Sequence, residues 1–254
     1  MKEKLTIVKV GGAVVEDELQ LSQLLHDFSA IPGRKVLVHG GGRRATKVAE
    51  KLGIETRMVN GRRITDTAML EVVTMVYGGL VNKQVVAKLQ ERGVNALGLT
   101  GADGNVLLSR KRQPVKVEGM EEMVDFGFVG DVKQADGPML GRLIEAGITP
   151  VMAPLTHDGE GHILNTNADT IASETAKALA PLYDVTLRFA FEKRGVLRNP
   201  DDEESVISKI TRADFERLKA DGIISGGMLP KIENALAAVE AGVKEVIIGE
   251  TVIC

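Results

Sequence analysis

Two lysines in the 254-residue chain occupy positions where a positive charge is costly. Lys9 interrupts the apolar run LTIVKV just before Gly11 and Gly12, and burying it is costly unless it is paired or faces a site. Lys231 follows Pro230, a residue favoured in the first turn of a helix, where the helix dipole disfavours a cation. A bound anion would offset both costs, so the lysines predict an anion site. The alternative to an anion site is that both lysines extend their ammonium groups into water, Lys9 from an edge strand and Lys231 from the protein surface.

Two apolar runs end in consecutive glycines, TIVKVGG at 6–12 and KVLVHGGG at 35–42. In an open parallel sheet, ligands bind beyond the carboxyl ends of the strands. Glycine lets backbone N–H groups approach a ligand there, and the N-terminus of a following helix adds donors and a favourable dipole. Both turns therefore predict binding sites for anionic groups. Tight strand-to-helix turns without a ligand are the alternative.

Three further polar residues, Arg63, Asn165 and Asp169, are candidates for the same site. In LNTNADTIASETAKAL, Asn165 and Asn167 are possible helix caps and Asp169 is an acid in the first turn, so capping alone explains them. The guanidinium of Arg63, in NGRRITD, could hold a carboxylate through two hydrogen bonds, although a solvated loop arginine fits equally well. His39, beside the second glycine turn, is interpreted as structural.

Two known nucleotide-binding motifs fit the chain poorly. The pattern G-x-x-x-x-G-K-[ST] does not occur, which excludes a Walker-type phosphate loop. The segment GGGRRA at 40–45 matches a dinucleotide pattern, but that pattern needs an acid about 20 residues later to bind ribose. Asn60, Gly61 and Arg62 stand there instead. A dinucleotide-dependent oxidoreductase is therefore the less favoured reading.

Apolar runs alternate with segments of helical periodicity along the chain. The strand candidates are 4–10, 35–39, 54–59, 94–100, 127–132, 148–153, 184–189 and 244–248. The helix candidates are 16–30, 43–53, 66–92, 136–147, 168–181, 212–221 and 229–242. Continuous apolar strands indicate burial on both faces, so the pattern predicts an α/β fold, a three-layer αβα sandwich around a mainly parallel open sheet. The polar, turn-rich segment 101–126 is read as a hairpin, either a substrate lid or a surface feature.

Composition narrows the class of protein. A formal net charge of −3 provides no basic surface for nucleic acid. No apolar run approaches the roughly 18 residues of a membrane helix, and MKEKLTIVKV has no signal-peptide pattern, so we expect a cytoplasmic protein without membrane partners. The single cysteine, Cys254, excludes internal disulfides and a thiolate metal cluster.

Five motifs taken in order resemble the amino-acid kinase family, and within it the acetylglutamate kinase branch of arginine biosynthesis. They are KVGG (9–12), HGGG (39–42), NGRRIT (60–65), NTNAD (165–169) and GGMLPK (226–231). The resemblance covers residues 5 to about 248. It implies transfer of the ATP γ-phosphoryl group to the side-chain carboxylate of N-acetyl-L-glutamate. N-succinylglutamate is an alternative acceptor, and a ligand sensor with poor catalysis is an alternative role.

The resemblance also implies a role for each motif residue. Lys9 and Lys231 would stabilise charge on the migrating phosphoryl group, and Asp169 would organise the two lysines. The residues implied to contact ATP are Gly11, Gly12 and Gly227. The residues implied to contact the acyl amino acid are Gly41, Gly42, Arg63 and Asn165. Mg²⁺ would accompany ATP, held by phosphate oxygens and water and not by protein ligands.

The same resemblance carries expectations about organisation. Residues 1–180 would bind the acyl amino acid and form a homodimer through the 66–92 helix, and residues 181–254 would form a nucleotide lobe that is shortened at its C-terminus. Arginine-inhibited relatives carry an extra N-terminal helix, whereas Leu5 already begins the first strand here, so we expect an arginine-insensitive dimer. In LRFAFEKRG (187–195), Arg188, Phe191 and Glu192 are not expected from the family pattern.

Overall fold

The computed structural model describes residues 2–117, 119–190, 194–225 and 228–254. Its strands are β1 (Lys4–Val10), β2 (Arg34–His39), β3 (Met58–Val59), β4 (Arg62–Arg63), β5 (Ala96–Leu99), β6 (Leu107–Lys111), β7 (Val115–Lys116), β8 (Met123–Val124), β9 (Gly130–Ala135), β10 (Thr149–Met152), β11 (Leu155–His157), β12 (Ile163–Asn165), β13 (Asp184–Phe189), β14 (Lys209–Ile210), β15 (Glu245–Ile248) and β16 (Thr251–Ile253). Its α-helices are α1 (Gly12–Glu16), α2 (Glu18–Ala30), α3 (Gly42–Lys51), α4 (Thr67–Val73), α5 (Asn82–Glu91), α6 (Gly137–Glu145), α7 (Ala168–Leu179), α8 (Arg212–Ala220) and α9 (Met228–Glu240).

The described residues form one eight-stranded sheet in the order β14-β16-β15-β13-β1-β2-β10-β5. Strands β15, β13, β1, β2, β10 and β5 pair in parallel, while β16 runs antiparallel to β15 and β14 runs parallel to β16. The predicted mainly parallel open sheet is confirmed. Because β13 pairs with β1, the predicted segments 1–180 and 181–254 contribute to the same sheet.

Alternate side chains of β1 enter two separate cores, one on each face of the sheet. Leu5 and Ile7 pack in the core that includes residues of α6, α7 and α9, whereas Val8 and Val10 pack in the core that includes residues of α2, α3, α4 and α5. This alternation follows from the two-residue period of a strand. Lys9 shares the parity of Ile7, so its side chain leaves β1 on the face that α7 and α9 cover.

A second sheet and two small hairpins lie outside the main sheet. The predicted strand 127–132 is found as β9, in the four-stranded sheet β12-β11-β6-β9. Only residues 58–59 of the predicted strand 54–59 are extended, and they form the β3–β4 hairpin. Within the segment read as a single hairpin, 101–126, β6 joins the second sheet while β7 pairs with β8. The residues that pack the two hairpins together are Val59, Ile64, Val117, Val124, Phe126 and Val129.

The predicted helix at 66–92 is continuous but changes its winding. Between α4 and α5, residues Thr74–Val81 form a π-helical segment. π-Helical turns within α-helices are frequently found at functional sites. Here the segment contributes Tyr77 to the ligand cavity described below, while Met75 and Leu80 are 54% and 37% exposed on its outer side. None of the described helices combines the length and apolar character that a membrane crossing requires.

Candidate active site

Lys9, Asp169 and Lys231 meet at the carboxyl end of β1, as the sequence predicted. The Nζ atom of Lys9 lies 2.7 Å from Oδ1 of Asp169, and the Nζ atom of Lys231 lies 4.0 Å from Oδ2 of the same carboxylate. The side chains of Lys9 and Lys231 are 13% and 19% exposed. Two largely buried ammonium groups therefore share one carboxylate, and Asp169 and Lys231 line the cavity described below.

The position of Asp169 depends on the cap of α7. The side chain of Asn167 accepts hydrogen bonds from the backbone N–H groups of Asp169 at 2.7 Å and Thr170 at 3.2 Å. This cap fixes the first turn of the helix, so the Asp169 side chain projects from a rigid element. The prediction of a cap is confirmed for Asn167. Asn165 lies at the end of β12 and does not cap α7.

Burial sets the electrostatics of Lys231. Removal from water lowers the pKa of its ammonium group, and the charge of Lys9 lowers it further, while the carboxylate of Asp169 raises it. An anionic ligand would add a second group that stabilises the charged form of the lysine. The site therefore carries a largely buried cation close to a second one, and this arrangement favours phosphate oxygens.

The two glycine turns are in direct backbone contact. The N–H of Gly40 donates to the carbonyl of Val10 at 2.9 Å, and a Cβ atom built on Gly40 would lie 3.0 Å from the nitrogen of Gly12. A Cβ atom on Gly12 would lie 3.4 Å from the nitrogen of Gly42. A side chain at position 40 would push the turns apart, whereas a Cβ atom at position 12 would only reach van der Waals contact. Glycine at position 40 therefore allows the close approach of β1 and β2 at their carboxyl ends.

His39 connects the second glycine turn to Asn82. It is fully buried, its Nε2 atom lies 3.0 Å from the side-chain amide nitrogen of Asn82, and its Nδ1 atom lies 2.7 Å from the carbonyl of Gly40. Because an amide nitrogen can only donate, Nε2 accepts and Nδ1 carries the proton. Burial lowers the pKa of His39 to about 4, with Lys83 acting in the same direction. The ring is neutral and structural, as predicted.

Arg63 contacts the second glycine turn and is largely buried. One terminal nitrogen donates to the carbonyl of Gly42 at 2.9 Å and to Oγ1 of Thr46 at 2.8 Å, and the other donates to Oγ1 of Thr56 at 3.3 Å. Asn165 reaches the same region from β12, where its amide donates to Oγ1 of Thr65 at 3.0 Å. Both predicted acceptor-binding residues line the same cavity as Gly41 and Gly42.

One cavity of about 480 Å³ joins these groups. The predicted site residues that line it are Gly41, Gly42, Arg63, Asn165, Asp169 and Lys231. Lys9, Gly11 and Gly12 are not among the lining residues. Lys9 contacts the cavity residue Asp169, Gly11 precedes the short helix α1, and Gly12 packs behind the second turn. Gly227 lies outside the described residues, so its predicted contact with the nucleotide has no structural counterpart here.

Sequence reasoning missed several residues of the cavity wall. They are Arg62, Tyr77, Arg112, Phe189 and Asn234. Tyr77 and Phe189 belong to apolar patterns of a helix and a strand, which gave no sign that these residues line a cavity. Arg112 pairs with Asp131, at 3.0 Å from Nε to Oδ1. Burial lowers the pKa of Arg62, and the charge of Arg112 lowers it further; the repeated arginine in NGRRIT was the available signal.

Comparisons with known proteins identify the family of the chain. The acetylglutamate kinase of Bacteroides thetaiotaomicron is 66% identical over 248 residues, which cover 98% of this chain and 94% of that protein. The solved structure of smu.665 from Streptococcus mutans has a TM-score of 0.76 at 30% identity and covers 98% of both chains. Carbamate kinase from Giardia lamblia bound to AMP-PNP, with a TM-score of 0.68 and 15% identity over 99% of this chain and 98% of that one, shares the fold. The model of the amino acid kinase family matches residues 4–250, and the chain belongs to that family.

Proposed function

We propose that the protein transfers the γ-phosphoryl group of ATP to the side-chain carboxylate of N-acetyl-L-glutamate. The observation that carries the proposal is the cluster of Lys9, Asp169 and Lys231 at one end of a cavity whose other walls present Gly41, Gly42, Arg63 and Asn165. Relatives at 62% to 66% identity are named acetylglutamate kinase, which supports the same reaction for this chain.

The reaction needs charge stabilisation more than proton transfer. A glutamate carboxylate has an ordinary pKa of about 4.3, so it is ionised near neutral pH and attacks without a general base. One carboxylate oxygen forms a bond to the γ-phosphorus while the bond from that phosphorus to the β,γ-bridging oxygen breaks, and ADP leaves with the electron pair. Lys9 and Lys231 would stabilise the equatorial oxygens of the transferring group, where charge is spread in the transition state.

The acceptor and the nucleotide would approach from different sides of the lysine cluster. Gly41, Gly42, Arg63 and Asn165 would bind the acyl amino acid, with its α-carboxylate near Arg63 and Asn165. Gly11, Gly12 and Gly227 would bind ATP phosphates, and residues 181–254 would carry the rest of the nucleotide while residues 1–180 carry the acceptor.

ATP would enter as its Mg²⁺ complex. Asp169 is the single carboxylate among the described residues that line the cavity, and it is engaged by Lys9 and Lys231. The cation would therefore be held by phosphate oxygens and water, which is usual for Mg²⁺ at phosphoryl-transfer sites. Because the reaction consumes ATP, we assign it to the cytoplasm.

We further propose a homodimer formed through the long helix. The outward side chains Met75 and Leu80 are exposed, and Leu97 on the edge strand β5 is 39% exposed. An apolar patch next to an open sheet edge is a common site of self-association. A second copy of the chain would cover both features at once.

The decisive experiment measures ADP release with a coupled assay and traps the acyl phosphate with hydroxylamine. N-acetyl-L-glutamate and N-succinyl-L-glutamate are tested separately, with acceptor-free reactions as the background. Formation of a hydroxamate from the acetyl substrate, in an amount equal to the ADP released, is the expected result. Binding of the acceptor without turnover by a folded sample would refute the kinase and favour a ligand sensor.

A further inference from the structure

Phe189 occupies the last position of β13. It is the register partner of Lys9 on β1 and of Ile248 on β15. Its ring is 4% exposed and forms part of the cavity wall. Side chains of register partners in neighbouring parallel strands lie on the same face of a sheet, so the ring stands beside the Lys9 ammonium group.

The second lysine lies over this ring. The Nζ atom of Lys231 is 5.3 Å from the centroid of Phe189, within the range of about 6 Å over which a cation is attracted to an aromatic face. The same ammonium group is 4.0 Å from Oδ2 of Asp169. Lys231 is thus placed between a carboxylate from α7 and an aromatic face from β13.

We infer that Phe189 is a positioning residue for phosphoryl transfer, and that its ring face holds the Lys231 ammonium group at the place where the transferring group develops charge. This inference rests on the proposed function. A lysine has a long flexible stem, so the groups around its ammonium group decide where the charge is held. The Phe189 ring, with its centroid 5.3 Å from Nζ, is one of these groups and excludes water from one side of the cation.

An aliphatic side chain of similar size would exclude water but would not attract the cation. Phe189→Leu separates the two effects, because it preserves an apolar wall and removes the aromatic face. Phe189→Tyr preserves the face. The charged groups that act on Lys231 from the surrounding elements are Lys9 on β1 and Asp169 on α7, and neither is changed by these substitutions.

The test measures kcat against pH for the wild type and the two Phe189 variants. In Phe189→Leu, we expect kcat near neutral pH to fall about tenfold and the alkaline limb of the profile to begin about one pH unit lower. In Phe189→Tyr, kcat stays within about twofold of wild type. Phe28→Leu is the matched control for packing loss, since Phe28 is 1% exposed in the core on the opposite face of the sheet.

Nuclear magnetic resonance of the protein labelled at lysine gives a readout that does not require turnover. The ε-methylene signal of Lys231, assigned with Lys231→Arg, should be shifted upfield by the ring in the wild type and in Phe189→Tyr, and this shift should vanish in Phe189→Leu. If Phe189→Leu does not fold, Phe189→Met replaces it. An unchanged signal and an unchanged kcat profile in the aliphatic variant would overturn the inference. A ring-dependent shift in a wild-type protein that makes no acyl phosphate would count against the proposed function and would leave the contact between Phe189 and Lys231 in place.

Discussion

The side-chain amide of Asn82 donates a 3.0 Å hydrogen bond to Nε2 of His39, and this contact fixes the proton of the imidazole on Nδ1. The Nδ1–H group donates a hydrogen bond to the carbonyl of Gly40, at 2.7 Å. Asn82 is the first residue after the π-helical segment, and its amide also donates to the carbonyl of Val151 at 2.9 Å. The long helix, β10 and the second glycine turn are thus connected through one neutral ring.

Because His39 must remain neutral, stability should depend on pH. Its pKa is lowered from 6.5 to about 4 on folding, so between these values the unfolded chain binds more protons and the free energy of unfolding falls as pH decreases. From about pH 7 to about pH 5 we expect a loss of about 2 kcal/mol from this residue. Urea unfolding of wild type and His39→Asn isolates the contribution, since other titrating groups are common to both. Parallel pH dependences of the two proteins would contradict the prediction.

Removing either lysine should abolish most of the turnover. Lys9→Ala and Lys231→Ala should each lower kcat by a factor of about 100 to 1,000, the cost of removing one group that stabilises transition-state charge. Lys51→Ala, at an exposed position in α3, is the control. Steady-state kinetics with N-acetyl-L-glutamate provide the measurement. Altered affinity with unchanged kcat would instead indicate a ligand-binding protein.

Asp169→Asn should show how much of the turnover depends on the carboxylate that Lys9 and Lys231 share. The amide has nearly the same shape but leaves the two ammonium groups without their shared carboxylate, and a hydrogen bond to a charged group contributes about 1.5–3 kcal/mol. We therefore expect kcat to fall about tenfold to a hundredfold. Thermal unfolding serves as a check that α7 remains intact, because Asn167 and not Asp169 provides its cap. Wild-type kcat in this variant would rule out the organising role.

Arg63→Lys should weaken acceptor binding more than turnover. Lysine keeps the charge but loses the planar fork, so a two-point contact with a carboxylate is not available. We expect KM for N-acetyl-L-glutamate to rise about tenfold or more, with KM for ATP little changed. Arg57→Lys is the matched control, since the Arg57 side chain is 53% exposed and lies 3.7 Å from Asp66. Equal increases of both KM values would point to a general loss of structure.

The proposed dimer can be tested at the centre of its apolar patch. Met75→Glu combined with Leu80→Glu places two carboxylates on an exposed surface of the monomer, so folding should survive while association is lost. Light scattering should give about twice the chain mass for wild type and a single chain mass for the double variant. Leu19→Glu, at a site 83% exposed on α2, is the control. A wild-type monomer would refute the dimer.

The sequence predicted the fold well because most of its elements are long and periodic. Predicted bounds of β1, β2 and β13 agree with the structure within one residue at each end, since each strand is a continuous apolar run. The sequence did not predict the β3–β4 and β7–β8 hairpins as separate elements. Their strands are two residues long and are held by contacts between segments distant in the chain, which local patterns do not encode.

Site residues could be predicted from the sequence where a residue type is unfavourable in its local secondary structure. Lys9 in an apolar strand and Lys231 at a helix start are costly in isolation, and the structure places both beside Asp169. Phe189 and Tyr77 violate no rule, because an aromatic residue in a strand or a helix is ordinary core. Tertiary packing decides whether such a ring lines the cavity, and the local sequence pattern does not show this.

The contact between the two glycine turns has a consequence for engineering. Main-chain atoms of Gly12 and Gly40 set the distance between the two glycine turns, so this distance does not depend on the side chains of the β3–β4 hairpin. A library that varies Met58 and Arg62, which line the cavity from that hairpin, could therefore search for new acceptors while the distance between the two turns stays constant.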